Sequence, residues 1–339
     1  MMEEISRKKF LRTVGSVVAG GAVAGVSGTL LTRSCRTGNP AVASGQGRLV
    51  PSPPEGQGGA VASPYRQVAS FAVQGIIKGF EQSGERIYVA TAGGDVQVFD
   101  NRGKRLVRFP VGENVRDLAV DSDSVYVLYP SKIEVYSPSG ERLREWEACS
   151  GLSDYCAFAV AQEFVFVTDA AHKNICKYTA AGGFVKFIHS PEVFIIPSLT
   201  FGIACVDDVL YCSNSGRHQV ERYTLEGDCL GSFGKPGGAP GLFAGCCNPV
   251  HLACTSGGDV ITSEKGHPRI SCYGSDGQFR GILLDSPSLG GGHAAYDVKV
   301  REDRLFVAGK DRVSVYRYDK TAASASACAN CPMDCSLSG

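Results

Sequence analysis

The chain of 339 residues carries one tryptophan, three methionines and no surplus of either charge, with 34 basic against 34 acidic residues. A single tryptophan excludes repeats built on a Trp-Asp signature or on tryptophans docked between units. Balanced charge, with no basic run beyond the N-terminus, leaves no electrostatic footprint for a nucleic acid, whose backbone requires clustered Lys and Arg. Hydrolase and nucleotide signatures are missing too: there is no Gly-x-Ser-x-Gly elbow, no His-Glu-x-x-His pair and no Gly-x-x-x-x-Gly-Lys-Ser/Thr loop. Isolated Ser, His and Asp residues therefore assign no reaction by themselves.

What the chain does have is a repeat. An apolar residue, two spacers and an aromatic or apolar residue recur at Val68/Phe71, Leu106/Phe109, Leu143/Trp146, Phe184/Phe187, Leu230/Phe233 and Phe279/Ile282, mostly after a Gly turn. Each later copy closes a longer unit in which a period-2 strand precedes a strand ending in an aromatic: Phe99, Tyr136, Tyr178, Tyr223, Tyr273 or Tyr316. Those aromatics are 37, 42, 45, 50 and 43 residues apart, the length of one four-stranded propeller blade. The first copy has no blade in front of it, and the last unit lacks its outer strand. A ring that lends its N-terminal strand to its C-terminal blade resolves both defects and leaves no open edge to template aggregation. The expected fold is all-β, a six-bladed propeller over residues 65–320, closed by that strand.

The ends read differently. Ser6-Arg7-Lys8-Lys9-Phe10-Leu11-Arg12 precedes an uncharged stretch from Thr13 to Thr32 with five glycines. This resembles a twin-arginine export signal, with Arg7, Lys8, Phe10 and Leu11 at its motif positions and Lys8 in place of the second arginine. An uncleaved membrane anchor of about 20 residues is the alternative. Either places the propeller outside the cytoplasm, with any membrane contact confined to this segment. Ala41-Val42-Ala43 offers a cleavage site, so residues 1–43 form the signal and 44–64 a Gly/Pro-rich linker; Cys35 is an alternative lipidation point.

The stretch from Asn214-Ser215-Gly216-Arg217-His218-Gln219-Val220 through Tyr223, Phe233-Gly234 and Asn248-Pro249 resembles the NHL repeat. So does Glu264-Lys265-Gly266-His267-Pro268-Arg269-Ile270 with Tyr273. The resemblance implies a six-bladed ring and turn histidines, His218 and His267, that hold the second and third strands together. Counting back from each second strand puts Gly79, Asp117, Ala157, Gly202, His251 and Asp297 nearest the axis. Asp117, His251 and Asp297 then offer oxygen and nitrogen donors for a polar ligand or a divalent ion. Some six-bladed NHL relatives are metal-dependent lyases or lactonases with an ion at this place, although their ligand sets do not map cleanly onto this chain. The other reading makes the three residues caps on neighbouring strand ends.

Fourteen cysteines complete the inventory. Cys176, Cys205, Cys212, Cys254 and Cys272 lie on strands as small hydrophobes. Cys149 and Cys156 bracket a short loop and could pair in an oxidising compartment. Cys246 and Cys247 are adjacent, able to form a vicinal disulfide, bind metal or remain thiols. Cys328, Cys331 and Cys335, in a C-x-x-C-P-x-x-C tail over residues 321–339, are close enough to reach one soft ion or iron-sulfur cluster, or to form disulfides. The function expected is an exported binding or interaction module that meets a protein partner or small ligand at the propeller mouth, beside a membrane or redox partner. A redox protein with a cysteine-ligated centre and a metal-dependent lyase or lactonase are the alternatives.

Overall fold

A computed structural model describes residues 63–121 and 123–319. The export-signal residues Arg7, Lys8, Phe10 and Leu11, together with Cys35 and the tail residues Cys328, Cys331 and Cys335, lie outside the described residues.

Six antiparallel four-stranded sheets form the ring, and no α-helix occurs among the described residues. Blades one to five cover residues 77–110, 117–147, 155–188, 203–233 and 251–284. Blade six takes three strands from residues 297–318 and its outer strand from Tyr65–Ala72, which pairs antiparallel with Arg312–Tyr318 through Ala69 to Val315 and Phe71 to Val313. The expected closure is therefore present.

The second strands are buried along their length because both faces meet neighbouring blades; Ile87, Val125, Val165 and Leu305 are each 0% exposed. Apolar clusters straddle pairs of blades, as where Tyr88, Ala90 and Val96 of blade one meet Leu118, Val125 and Val127 of blade two. Removing this surface from water is what holds adjacent sheets together.

The outer strands correct the repeat as read from sequence. Its second member is buried at Phe71, Phe109 and Trp146 and partly buried at Phe233. Val68, Leu106, Leu143, Leu230 and Phe279 remain exposed, and the first four fall in a β-bulge opposite the third-strand aromatic, where the register slips by one residue. A bulged residue opposes no partner, so its side chain is turned out of the period-2 alternation. In blade three the bulge falls at Val185, and the buried residue is Ile188 rather than Phe187. In blade five two slips leave Leu284, not Ile282, in the core.

Candidate functional site

Inner strands converge on the axis, and their first residues define a tunnel. Asp117, His251 and Asp297 each begin an inner strand. With Arg116, Lys299, Ala157 and Gly202 they line its narrow part. Beside it opens a chamber of about 310 Å³ lined by Lys78, Arg116, Lys265 and His251, by residues 198–202, and by no carboxylate.

The three sequence-predicted axial residues thus share one tunnel, but not one ligand-binding point. His251 Nδ1 lies 3.5 Å from Asp297 Oδ1. Asp117 faces elsewhere: Oδ1 accepts from its own Leu118 N–H at 2.8 Å and Oδ2 from the Phe158 N–H of blade three at 3.2 Å. It caps strand ends, as one of the sequence readings allowed. Blade one approaches it so closely that a β-carbon on Gly79 would lie 2.7 Å from Asp117 Oδ1. Among the described residues, the three donors do not form a set spaced for one ion.

Electrostatics differ between the two parts. Asp117 is ringed by protein, and desolvation, opposed by Lys299 and reinforced by the Asp297 charge, raises its pKa to about 7. Burial lowers the pKa of His251, with Asp297 opposing. Lys299 stays charged through Glu81 at 3.3 Å and the two aspartates, which outweigh its desolvation. Arg116 is held by Asp154 at 3.1 Å.

Sequence reading missed the loop that roofs the chamber. Residues 189–202 join blades three and four, and Val193, Ser198 and Leu199 have φ of 69°, 56° and 56°. A β-branched residue in that region is strained and needs outside restraint. Asn214 provides it, with Oδ1 accepting from Ile195 N–H at 2.9 Å and Nδ2 donating to Val193 O at 3.2 Å. Gly216 N–H adds a bond to Ile195 O at 2.9 Å. The Asn-Ser-Gly-Arg-His turn is thereby a clamp on the chamber roof, and the only sequence signal for it was the repeat resemblance.

Lys265, a further lining residue, is positioned by the turn that carries the cysteine pair. Asn248 Nδ2 donates to Ala244 O at 2.6 Å and Lys265 O at 3.0 Å, while its Oδ1 accepts from Lys265 N–H at 2.9 Å. Lys265 is so fixed at the mouth. Cys246 is exposed and Cys247 buried, their sulfurs 3.5 Å apart. Cys156 lines the chamber, its thiol pushed up to about 12 by burial. Cys149 instead places its sulfur 3.6 Å from Cys176. That contact, chiefly the hydrogen bond from Cys176, holds the Cys149 thiol down at about 6. The cysteine expected to be an inert strand residue is thus the neighbour of Cys149, while Cys156 faces the axis.

No protein-family model and no curated protein matches the chain. Solved structures share its fold. It is similar to selenomethionine-substituted virginiamycin B lyase from Staphylococcus aureus, with 13% identity, a TM-score of 0.55, and coverage of 75% of this chain and 99% of that one. A Bacteroides thetaiotaomicron protein of unknown function aligns with 12% identity, a TM-score of 0.58 and 75% coverage of both chains. At such identity the likeness shows a common propeller architecture.

Proposed function

We propose that this protein is an exported, NHL-type propeller that acts as a binding module, and that its tunnel mouth receives an anionic group. The observation that carries this reading is the sign of the chamber lining. Lys78, Arg116 and Lys265 line the chamber without a carboxylate, whereas in the narrow part Asp117 and Asp297 are balanced by Lys78, Arg116 and Lys299. Concave walls of one sign focus the field and raise the local concentration of the opposite charge. A chamber of about 310 Å³ is at the lower end of small-molecule pockets. It suits a small carboxylate or phosphate, or an acidic side chain presented by a protein. The twin-arginine-like segment from Arg7 to Leu11 supports an extracytoplasmic location.

Calorimetric titration with a panel of small mono- and dicarboxylates and inorganic phosphate tests this reading, run on the protein and on a Lys78→Ala/Lys265→Ala variant. Binding by the parent that weakens at least tenfold in the variant supports it. An absence of heat across the panel and with an Asp/Glu-rich peptide overturns it.

A second reading rests on His251 and Asp117. A neutral imidazole beside Asp297 and a carboxyl that keeps its proton to about 7 form one proton acceptor and one proton donor in the same tunnel, the pattern of acid–base catalysis. A histidine-to-alanine variant of the fold-related Staphylococcus aureus lyase is described as catalytically inactive. Mass-spectrometric detection of chemical change in any bound ligand, abolished by His251→Ala with affinity retained, selects this reading.

A further inference from the structure

Blade three breaks the pattern of its neighbours at one buried position. Two residues before the third-strand aromatic stand Glu134 in blade two and Glu221 in blade four. Each carboxylate accepts from the hydroxyl of its own aromatic, Tyr136 at 2.6 Å and Tyr223. Blade three has Cys176 at this place, 0% exposed. Its aromatic, Tyr178, makes its hydroxyl contact with Tyr155 instead, at 2.5 Å. Into the space comes Cys149 from the loop between blades two and three. A sulfur from each cysteine and a carboxylate oxygen of Asp169 all lie within 4.8 Å of one another.

We propose that Cys149, Cys176 and Asp169 form a site for a thiophilic divalent cation, zinc being the ion that fits best. The spacing is the first argument. Two thiolates on a tetrahedral zinc with Zn–S near 2.3 Å stand about 3.8 Å apart, and the two sulfurs here are 3.6 Å apart. The donor set is the second: two sulfurs and one carboxylate oxygen suit zinc rather than magnesium or calcium, which take all-oxygen shells. Support behind the ligands is the third. Asp169 is 0% exposed, and its Oδ1 accepts from the backbone N–H groups of Asp154, Ala171 and His172 at 3.1, 3.0 and 3.3 Å. Its Oδ2 meets His172 Nδ1 at 2.9 Å, which leaves a lone pair on that oxygen. A carboxylate so held is oriented before any ion arrives, as outer-shell partners of metal ligands do. Cys149 is half-buried, so the ion enters from the loop side and keeps a fourth position for water or an exogenous ligand.

The site also bears on the chamber. Asp154, whose N–H is bonded to Asp169, carries the carboxylate that holds Arg116 at the chamber wall. An ion on Asp169 would stiffen that wall without touching the ligand.

The test uses the full chain carrying Cys328→Ser, Cys331→Ser, Cys335→Ser and Cys246→Ser, so that other thiols do not blur the count. Zinc is titrated against a chromophoric chelator, and cobalt(II) is followed by its thiolate charge-transfer band. One equivalent of zinc and a cobalt band are expected, both lost on adding Cys149→Ser with Cys176→Ser. His172→Ala, which alters only an outer partner, should weaken zinc roughly 10–100-fold while the cooperative thermal transition persists. Two results overturn the proposal. One is zinc binding no tighter with Cys149 and Cys176 present than with both replaced. The other is a Cys149–Cys176 disulfide in unreduced peptide maps of protein from its native compartment.

Discussion

Gly103, in the last turn of blade one, lies against Phe71 of the closing strand so tightly that a β-carbon on it would stand 2.6 Å from the Phe71 Cβ. The same fit recurs around the ring, with Gly140 on Phe109, Gly182 on Trp146, Gly227 on Ile188 and Gly277 on Phe233. Five of the six outer strands therefore lock onto the turn of the following blade. Because Phe71 belongs to blade six and Gly103 to blade one, this pair joins the two ends of the ring.

Breaking that lock should cost stability. Phe71 is 8% exposed and stacks at 4.8 Å on Phe99, so Phe71→Ala is expected to lose about 3–5 kcal/mol. Gly103 has φ of 85°. Gly103→Val should therefore cost about 1–2 kcal/mol for the left-handed backbone and about 1–3 kcal/mol more for overpacking. Leu106→Ala, at an exposed bulge, should change stability by under about 0.5 kcal/mol. Urea denaturation of the three variants checks the order; equal losses at Phe71 and Leu106 would contradict the assignment of core and bulge.

Blade number and closure were readable because they depend on period, and a mean spacing survives local insertions. The bulges were not. A one-residue slip leaves the sequence pattern intact while exchanging inside for outside, so Phe187 and Ile188, or Ile282 and Leu284, could not be told apart. Axial placement of Asp117, His251 and Asp297 followed from strand register. Whether their donor atoms converge depends on side-chain direction, which spacing does not encode. Cys149 and Cys176 were separated by the sequence logic because one is in a loop and the other on a strand of the next blade.

Blade five depends on a buried ion pair. Arg269 is 6% exposed and Glu264 1%; Nε and Nη2 of Arg269 reach the two carboxylate oxygens at 2.5 and 3.0 Å, and Nη2 also donates to Leu242 O. Arg269→Ala leaves the carboxylate buried without its partner, and about 3–5 kcal/mol should be lost. Arg269→Lys cannot restore the two-pronged contact and should recover only part of it. Replacing both with Met and Leu should cost less than Arg269→Ala, since no unpaired charge remains. Thermal unfolding distinguishes the outcomes, and a neutral Arg269→Ala would refute the account.

The roof strain predicts a truncation that is tolerated. Val193 holds φ of 69°, a conformation that glycine adopts freely, so Val193→Gly should not destabilise the protein by more than about 1 kcal/mol, despite the loss of a side chain. Asn214→Ala removes the clamp on Ile195 and Val193 and leaves Glu221 Oε1 without its 2.6 Å donor. Hydrogen exchange at the Ile195 amide should rise at least tenfold in Asn214→Ala. Unchanged protection there would show that the loop is held by something other than Asn214.

Asp117 should titrate far from an ordinary carboxyl. Its pKa is raised to about 7, first by desolvation and then by Asp297, against Lys299 and the Leu118 and Phe158 N–H groups. The folded state therefore holds a proton that the unfolded chain has released. This contribution to stability is complete below the unfolded value of about 3.9 and is lost as pH rises through 7. The same deprotonation adds negative charge beside the chamber, so the affinity for an anion should fall across pH 7. Asp117→Asn should remove that step and leave the weaker one at lower pH that belongs to His251. Carbon-detected NMR of the aspartate carboxyls gives the direct measurement: a midpoint near 7 for Asp117 is expected, and a midpoint near 4 would mean that tunnel water solvates the carboxylate as fully as bulk solvent does.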